Sequence, residues 1–113
     1  MNKLIPLSAA IAIVASTASA QTDLSTYANK DGYILVQKLT CAQLAATFQE
    51  DADFLGVWYS GWYNGLAKKS ALNIPRTKES IHQVIVYCKA HLDKTIIQAV
   101  GEIIKAEKQN SSR

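Results

Sequence analysis

Chemically versatile side chains are scarce in this chain of 113 residues. It has two cysteines, two histidines, two prolines and five glycines. Each shortage removes a class of function. No glycine-rich loop lies between a strand pattern and a helix pattern to cradle a phosphate; Gly56, Gly61 and Gly65 fall inside a helical pattern instead. The histidines, His82 and His91, would point from opposite faces of a shared helix and could not act together. Cys88 and His91 beside His82 fall short of a tetrahedral ligand set, so the reading is no metal and no cofactor. Asp51 and Asp53 stand two apart, a spacing that turns their carboxylates away from each other on a helix. The chain reads as a protein without catalytic machinery.

Charge of one sign is also missing. Twelve Lys and Arg stand against nine Asp and Glu. The basic residues are dispersed rather than striped, which argues against nucleic acid and against a polybasic membrane surface. Lys68-Lys69, the one adjacent pair, suits a helix C-terminus.

The first twenty residues have the form of an export signal. Lys3 gives a positive start, Leu4 to Val14 is an apolar run broken by Pro6 and Ser8, and Ala18-Ser19-Ala20 is a cleavage site of small residues ahead of Gln21. The run is shorter than the roughly 20 apolar residues of a spanning helix. Residues 1–20 are therefore expected to be removed, giving an exported product with no membrane insertion. In an oxidising compartment Cys41 and Cys88 are expected to pair. The mature chain would be one small domain, near the size at which a single core is adequate but not generous. A covalent staple then matters.

The remaining sequence reads as an arm, four helices and a tail. Residues 21–39 hold a turn signal at Asn29-Lys30-Asp31-Gly32 and strand formers at Tyr33 to Val36, and are expected to form an extended arm. Thr40-Cys41-Ala42-Gln43 fits a capping box, so a first helix should start at Cys41 and continue through Leu44, Ala45 and Phe48. A second helix is expected over about Asp51 to Lys68, with Leu55, Trp58, Tyr59, Trp62 and Leu66 as its core stripe. The Gly61/Gly65 flank, with Phe54 beside it, would let another helix come close. After a loop over roughly Ser70 to Arg76, Thr77 should cap a third helix whose stripe is Ile81, Val84, Ile85 and Cys88. Asp93 should cap a fourth, with Ile96, Ala99, Val100 and Ile103 on one side. Residues 40–108 thus make a small all-α four-helix bundle with one disulfide, and residues 109–113 a disordered polar tail.

The densest feature is Trp58-Tyr59-Ser60-Gly61-Trp62-Tyr63. Its apolar band is wider than one core-facing stripe, and a surplus of that kind suggests a surface for self-association or for a client. At Leu39-Thr40-Cys41-x-Gln43-Leu44, at Trp58 to Gly65 and at Val86-Tyr87-Cys88 the sequence resembles the HdeA/HdeB family of periplasmic acid-stress chaperones. The resemblance covers roughly Leu39 to Lys105. It implies a helical protein with one disulfide, a homodimer near neutrality, that loosens in acid and holds unfolding periplasmic proteins without ATP. Phe54, Leu55, Trp58, Tyr59, Trp62 and Tyr63 are the candidate client or dimer surface. Glu50, Asp51, Asp53, Glu79, His82, His91 and Asp93 are the candidate pH-sensing groups, with histidines acting near pH 6 and carboxylates nearer pH 4. The alternative is a non-catalytic envelope binding protein that sequesters or inhibits one specific partner.

Overall fold

Helix boundaries in this chain are set by side chains that cap free backbone groups. A computed structural model describes residues 21–111, so the expected signal segment lies outside the described residues. Four α-helices are present among them: α1 at Cys41–Ala46, α2 at Gln49–Leu66, α3 at Ile74–Ala90 and α4 at Ile96–Ser111, with a 3-10 turn at Leu24–Tyr27. The all-α bundle expected from the sequence is the fold observed.

Thr40 caps α1 as expected: its Oγ1 accepts the Gln43 N–H while the Gln43 side chain accepts the Thr40 N–H. The helix does not continue to Phe48. The Thr47 hydroxyl donates to the Leu44 carbonyl at 3.0 Å, and the arm's Thr22 N–H takes the Ala46 carbonyl at 2.7 Å. Those carbonyls are then unavailable to extend the helix, and α2 starts anew at Gln49. It ends in a Schellman arrangement, in which Lys69 N–H returns to Asn64 O and Lys68 N–H to Gly65 O. Lys68 holds the left-handed conformation there, with φ of 56°.

The third helix begins earlier than its proline suggests. Asn73, not Thr77, is the cap, accepting the Arg76 N–H at 3.0 Å. Pro75 therefore sits in the first turn, where its missing N–H costs nothing. Likewise Thr95, not Asp93, caps α4: Thr95 and Gln98 exchange backbone N–H to side-chain oxygen bonds at 3.0 and 3.1 Å. A threonine followed three residues later by glutamine thus opens both α1 and α4. The last helix runs on through Ser111 into the segment read as tail.

Tyr33 to Val36 forms no strand. The arm instead folds back onto the helices, with Leu24 and Leu39 buried and Tyr27, Ile34 and Val36 packed against the core. Cys41 and Cys88 form the disulfide, with Cα atoms 4.5 Å apart and no solvent exposure. It ties the start of α1 to the last turn of α3. Around it lie Leu44, Val84, Ile85, Ile96 and Ala99. The third helix is central and packs against α1, α2 and α4.

The close approach of helices occurs at Gly56 and not on the Gly61/Gly65 flank. A Cβ at Gly56 would stand 2.6 Å from Ile81 Cγ2, whereas one at Gly61 or Gly65 would meet nothing within 4 Å. The glycine of α2 that admits α3 is the one facing it.

Candidate functional site: an apolar helix face and an open groove

The aromatic band of α2 divides into an inner and an outer part. Ala52, Leu55 and Tyr59 form the buried stripe. Trp58 is 42% exposed, Phe54 66% and Val57 60%. Trp58 and Leu66 therefore do not belong to the core stripe, because no described element covers that side of α2. Leu55 and Tyr59, conversely, are not part of any surface in this state. Burial lifts the Tyr59 phenol well above its ordinary range, Tyr63 adding to the effect, and the hydroxyl donates to the Val36 carbonyl. A neutral phenol thus anchors the arm to α2.

Outward of that stripe the rings support one another. Trp58 and Trp62 stack with centroids 6.2 Å apart, and Trp62 meets Tyr63 edge-on at 5.1 Å. Trp62 and Tyr63 are half-buried, so the exposed edge of the band is Phe54, Val57 and Trp58. Gly61 and Gly65 continue it as an open strip. At the end of α2 and beyond it, Leu66, Leu72 and Ile74 are each more than half exposed. An exposed apolar face of this kind is suited to binding.

A second feature leaves no mark in the helical pattern. Between α2 and α4, floored by α3, lies a cavity of about 590 Å³. Its lining includes the buried Leu44, Ala52 and Ile96 and the exposed Lys69, Arg76 and Lys108. Helical periodicity places apolar residues on a face but says nothing of whether two flanking helices meet over the third. They converge where the Tyr63 hydroxyl stands 3.5 Å from the Ile97 carbonyl.

The candidate pH-sensing groups do not gather. Glu50, Asp53, Glu79, His82, His91 and Asp93 are exposed and scattered. Asp53 accepts from Gln49 and Glu79 from Gln83, each within its own helix. His91 stacks on Tyr87 at 4.0 Å and places Nδ1 2.9 Å from the Tyr87 carbonyl. Asp51 alone among the seven joins separate elements, its carboxylate accepting the Leu24 N–H at 2.9 Å and so tying the arm to the first turn of α2. Two carboxylates outside the candidate set also hold structure. Asp23 accepts from the Ser25 hydroxyl and N–H, and those bonds hold its carboxyl below the usual range. Glu107 accepts from the Ser80 hydroxyl, joining α4 to α3. A serine and a glutamate 27 residues apart leave no signature in sequence.

No group of three or more metal-ligating side chains comes together among the described residues, and no described helix is long and apolar enough to cross a membrane. Comparison with curated proteins gives no match, and comparison with solved structures gives none. The family model of HdeA/HdeB matches residues 4–98, which takes in the arm, α1, α2, α3 and the start of α4. Together with the disulfide-tied helical bundle, that match establishes that the chain belongs to the HdeA/HdeB family.

Proposed function

We propose that this protein is a periplasmic acid-stress chaperone, an ATP-independent holdase that binds unfolding periplasmic proteins at low pH. The observation that carries the reading is the solvent-facing edge of α2, where Phe54, Val57 and Trp58 lie exposed beside the open Gly61/Gly65 strip. Family membership supports the same reading.

Near neutrality this edge pairs with a second copy, and Phe54, Trp58, Trp62 and Tyr63 are the residues assigned to the contact. Acid then acts through charge. Without residues 1–20, eleven Lys and Arg oppose nine Asp and Glu, a balance of +2; with every carboxylate neutral and both histidines charged it becomes +13. Self-repulsion of that size separates subunits, loosens the bundle and keeps the opened species soluble. Protonation also removes the charge with which Asp51 holds the Leu24 N–H. Leu55 and Tyr59 join the client surface only after this opening. The disulfide limits how far the opening spreads.

The test is light scattering of an acid-sensitive client mixed with the oxidised protein lacking residues 1–20, from neutral pH to strong acid. Suppression of aggregation confined to acid, with a Phe54→Ser/Trp58→Ser variant reduced at least several-fold, is the expected result. Aggregation unaffected at every acidic pH would overturn the reading.

A further inference from the structure

We infer that the connection between α2 and α3 is a processing site for a trypsin-like endopeptidase, one that selects lysine and hydrolyses the bond between Lys69 and Ser70. The product is two chains joined by the Cys41–Cys88 disulfide. The inference is independent of the holdase reading, because it concerns the folded protein at neutral pH and involves no client. Every residue from Gly65 to Arg76 is exposed, the longest such run among the described residues. An extended segment is recognised through backbone N–H and C=O groups that are open to pairing. Ser70, Ala71 and Leu72 meet that requirement, since none of them forms a hydrogen bond with another described residue. No apolar residue between Trp62 and Ile81 packs against the buried core. The connection borders the cavity instead, with Ala67, Lys69, Ala71 and Leu72 in its lining. Its attachments are at its ends, in the turn that closes α2 and the Asn73 cap of α3.

Lysine selects the bond. A carboxylate in the specificity pocket of such a protease takes the lysine ammonium, and both Lys68 and Lys69 are exposed. Lys69 is the better placed of the two. The bond after Lys68 lies inside the closing turn, where Lys68 is left-handed and Lys69 N–H is held by Asn64 O at 2.8 Å. Seating Lys69 requires the last turn of α2 to unwind, releasing the N–H groups of Ala67, Lys68 and Lys69. Local opening of that kind costs far less than global unfolding. The other basic residues are held more firmly. Asp31, after Lys30, is bonded to the Asn29 side chain; Leu39, after Lys38, is buried and accepts the Ile96 N–H; and the Lys94 carbonyl accepts the Cys41 N–H. Arg76, Lys78, Lys89 and Lys105 lie within helices, and a cut at Lys108, in the last turn of α4, removes only the C-terminal residues. Hydrolysis breaks the C–N bond between Lys69 and Ser70. Water adds its hydroxyl to the Lys69 carbonyl carbon and its proton to the Ser70 nitrogen. Cys41 and Cys88 stand on opposite sides of that bond, so the halves stay linked.

Trypsin is the probe. Brief digestion at neutral pH of the oxidised protein lacking residues 1–20 should yield a species that is intact on a non-reducing gel. Reduction should split it into residues 21–69 and a partner beginning at Ser70, identified by mass. Lys69→Gln should slow its formation about tenfold and move the cut to Lys68, while Lys68→Gln/Lys69→Gln should abolish it. Both positions are exposed, so circular dichroism should report an intact fold. A local opening exposes little surface, so the rate should change little at urea concentrations that leave the protein folded. A first cut at any lysine or arginine besides Lys68 and Lys69, removal of the C-terminal residues aside, would overturn the inference. So would the absence of the two-chain species, a rate indifferent to the double substitution, or a rate that rises with urea as steeply as global unfolding does.

Discussion

The two ends of the bundle are held by different means. At the disulfide end the segments interlock through the backbone: Cys41 N–H donates to Lys94 O at 2.7 Å, Ala42 N–H to Leu92 O, and Ile96 N–H to Leu39 O. Cys41, Cys88, Ile96 and Ala99 are sealed there, none more than 1% exposed. At the groove end the helices are joined by side-chain contacts such as Ser80 to Glu107, and Leu66, Leu72 and Ile74 face solvent. Closed backbone bonds and a covalent link resist opening, whereas a gap bridged by side chains does not. The bundle should therefore open from the groove end first, with the disulfide end as its hinge.

The largest effect tests the hinge directly. By the chain-entropy model, closing the 47-residue separation of Cys41 and Cys88 is worth about 4 kcal/mol. Cys41→Ser/Cys88→Ser should lower stability by that order in a urea titration, and reduction of the native protein should have the same effect. A loss under about 1 kcal/mol would mean that the backbone bonds alone hold this end and that the contrast lies elsewhere.

A matched pair of truncations comes next. Ile96→Ala removes a side chain that is 1% exposed at the closed end and should cost about 3 kcal/mol, because it leaves a cavity the sealed surroundings cannot fill. Ile104→Ala removes a half-buried side chain from the groove wall, where space already exists, and should cost about 1 kcal/mol or less. Equal costs would erase the distinction between the ends.

This asymmetry was only half legible in the sequence. The closed end could be read because its determinants are local or chemically singular: two cysteines, the capping box at Thr40 and Gln43, and the stripe of Val84, Ile85 and Cys88. The second capping box, Thr95 with Gln98, has the same threonine-to-glutamine spacing, and it competes in the sequence with Asp93 two residues earlier. The open end could not be read, because helical spacing selects a face without saying what covers it. Trp58 and Leu66 fit the stripe by periodicity and yet face solvent. Gly56, not Gly61 or Gly65, admits α3, a choice fixed by where Ile81 falls in the fold. The strand formers Tyr33 to Val36 lack a partner strand among the described residues, so burial of Ile34 and Val36 against the helices decides their conformation.

The arm adds a smaller contrast, since it crosses both kinds of attachment. Asp51→Asn keeps an oxygen for the Leu24 N–H but removes its charge, and should cost about 1 kcal/mol, the difference between a charged and a neutral acceptor. Hydrogen exchange should accelerate at the Leu24 amide while the Cys41 amide, bonded to Lys94 at the closed end, is unchanged. Parallel acceleration at both would show that the arm and the disulfide end open as one unit.

The smallest effect concerns the 3-10 turn that begins the arm. Asp23 is fully exposed, and its carboxylate accepts the Ser25 hydroxyl and N–H, which lower its pKa below the ordinary value. A carboxyl whose folded pKa is depressed stabilises the fold at pH values above its unfolded pKa, and that contribution is lost as pH falls through the lower, folded value. The turn should therefore hold at neutral pH and fray below roughly pH 4. The Asp23 side-chain resonance followed against pH should titrate below a free aspartate, with the Ser25 amide shifting in step, and Asp23→Asn should abolish the coupled shift. Fraying of the turn releases Leu24 from one side, the other attachment being its N–H bond to Asp51. If the Ser25 amide shifted only together with the amides of α3, acid would be acting on the whole bundle, and the arm would not be an earlier step than the groove.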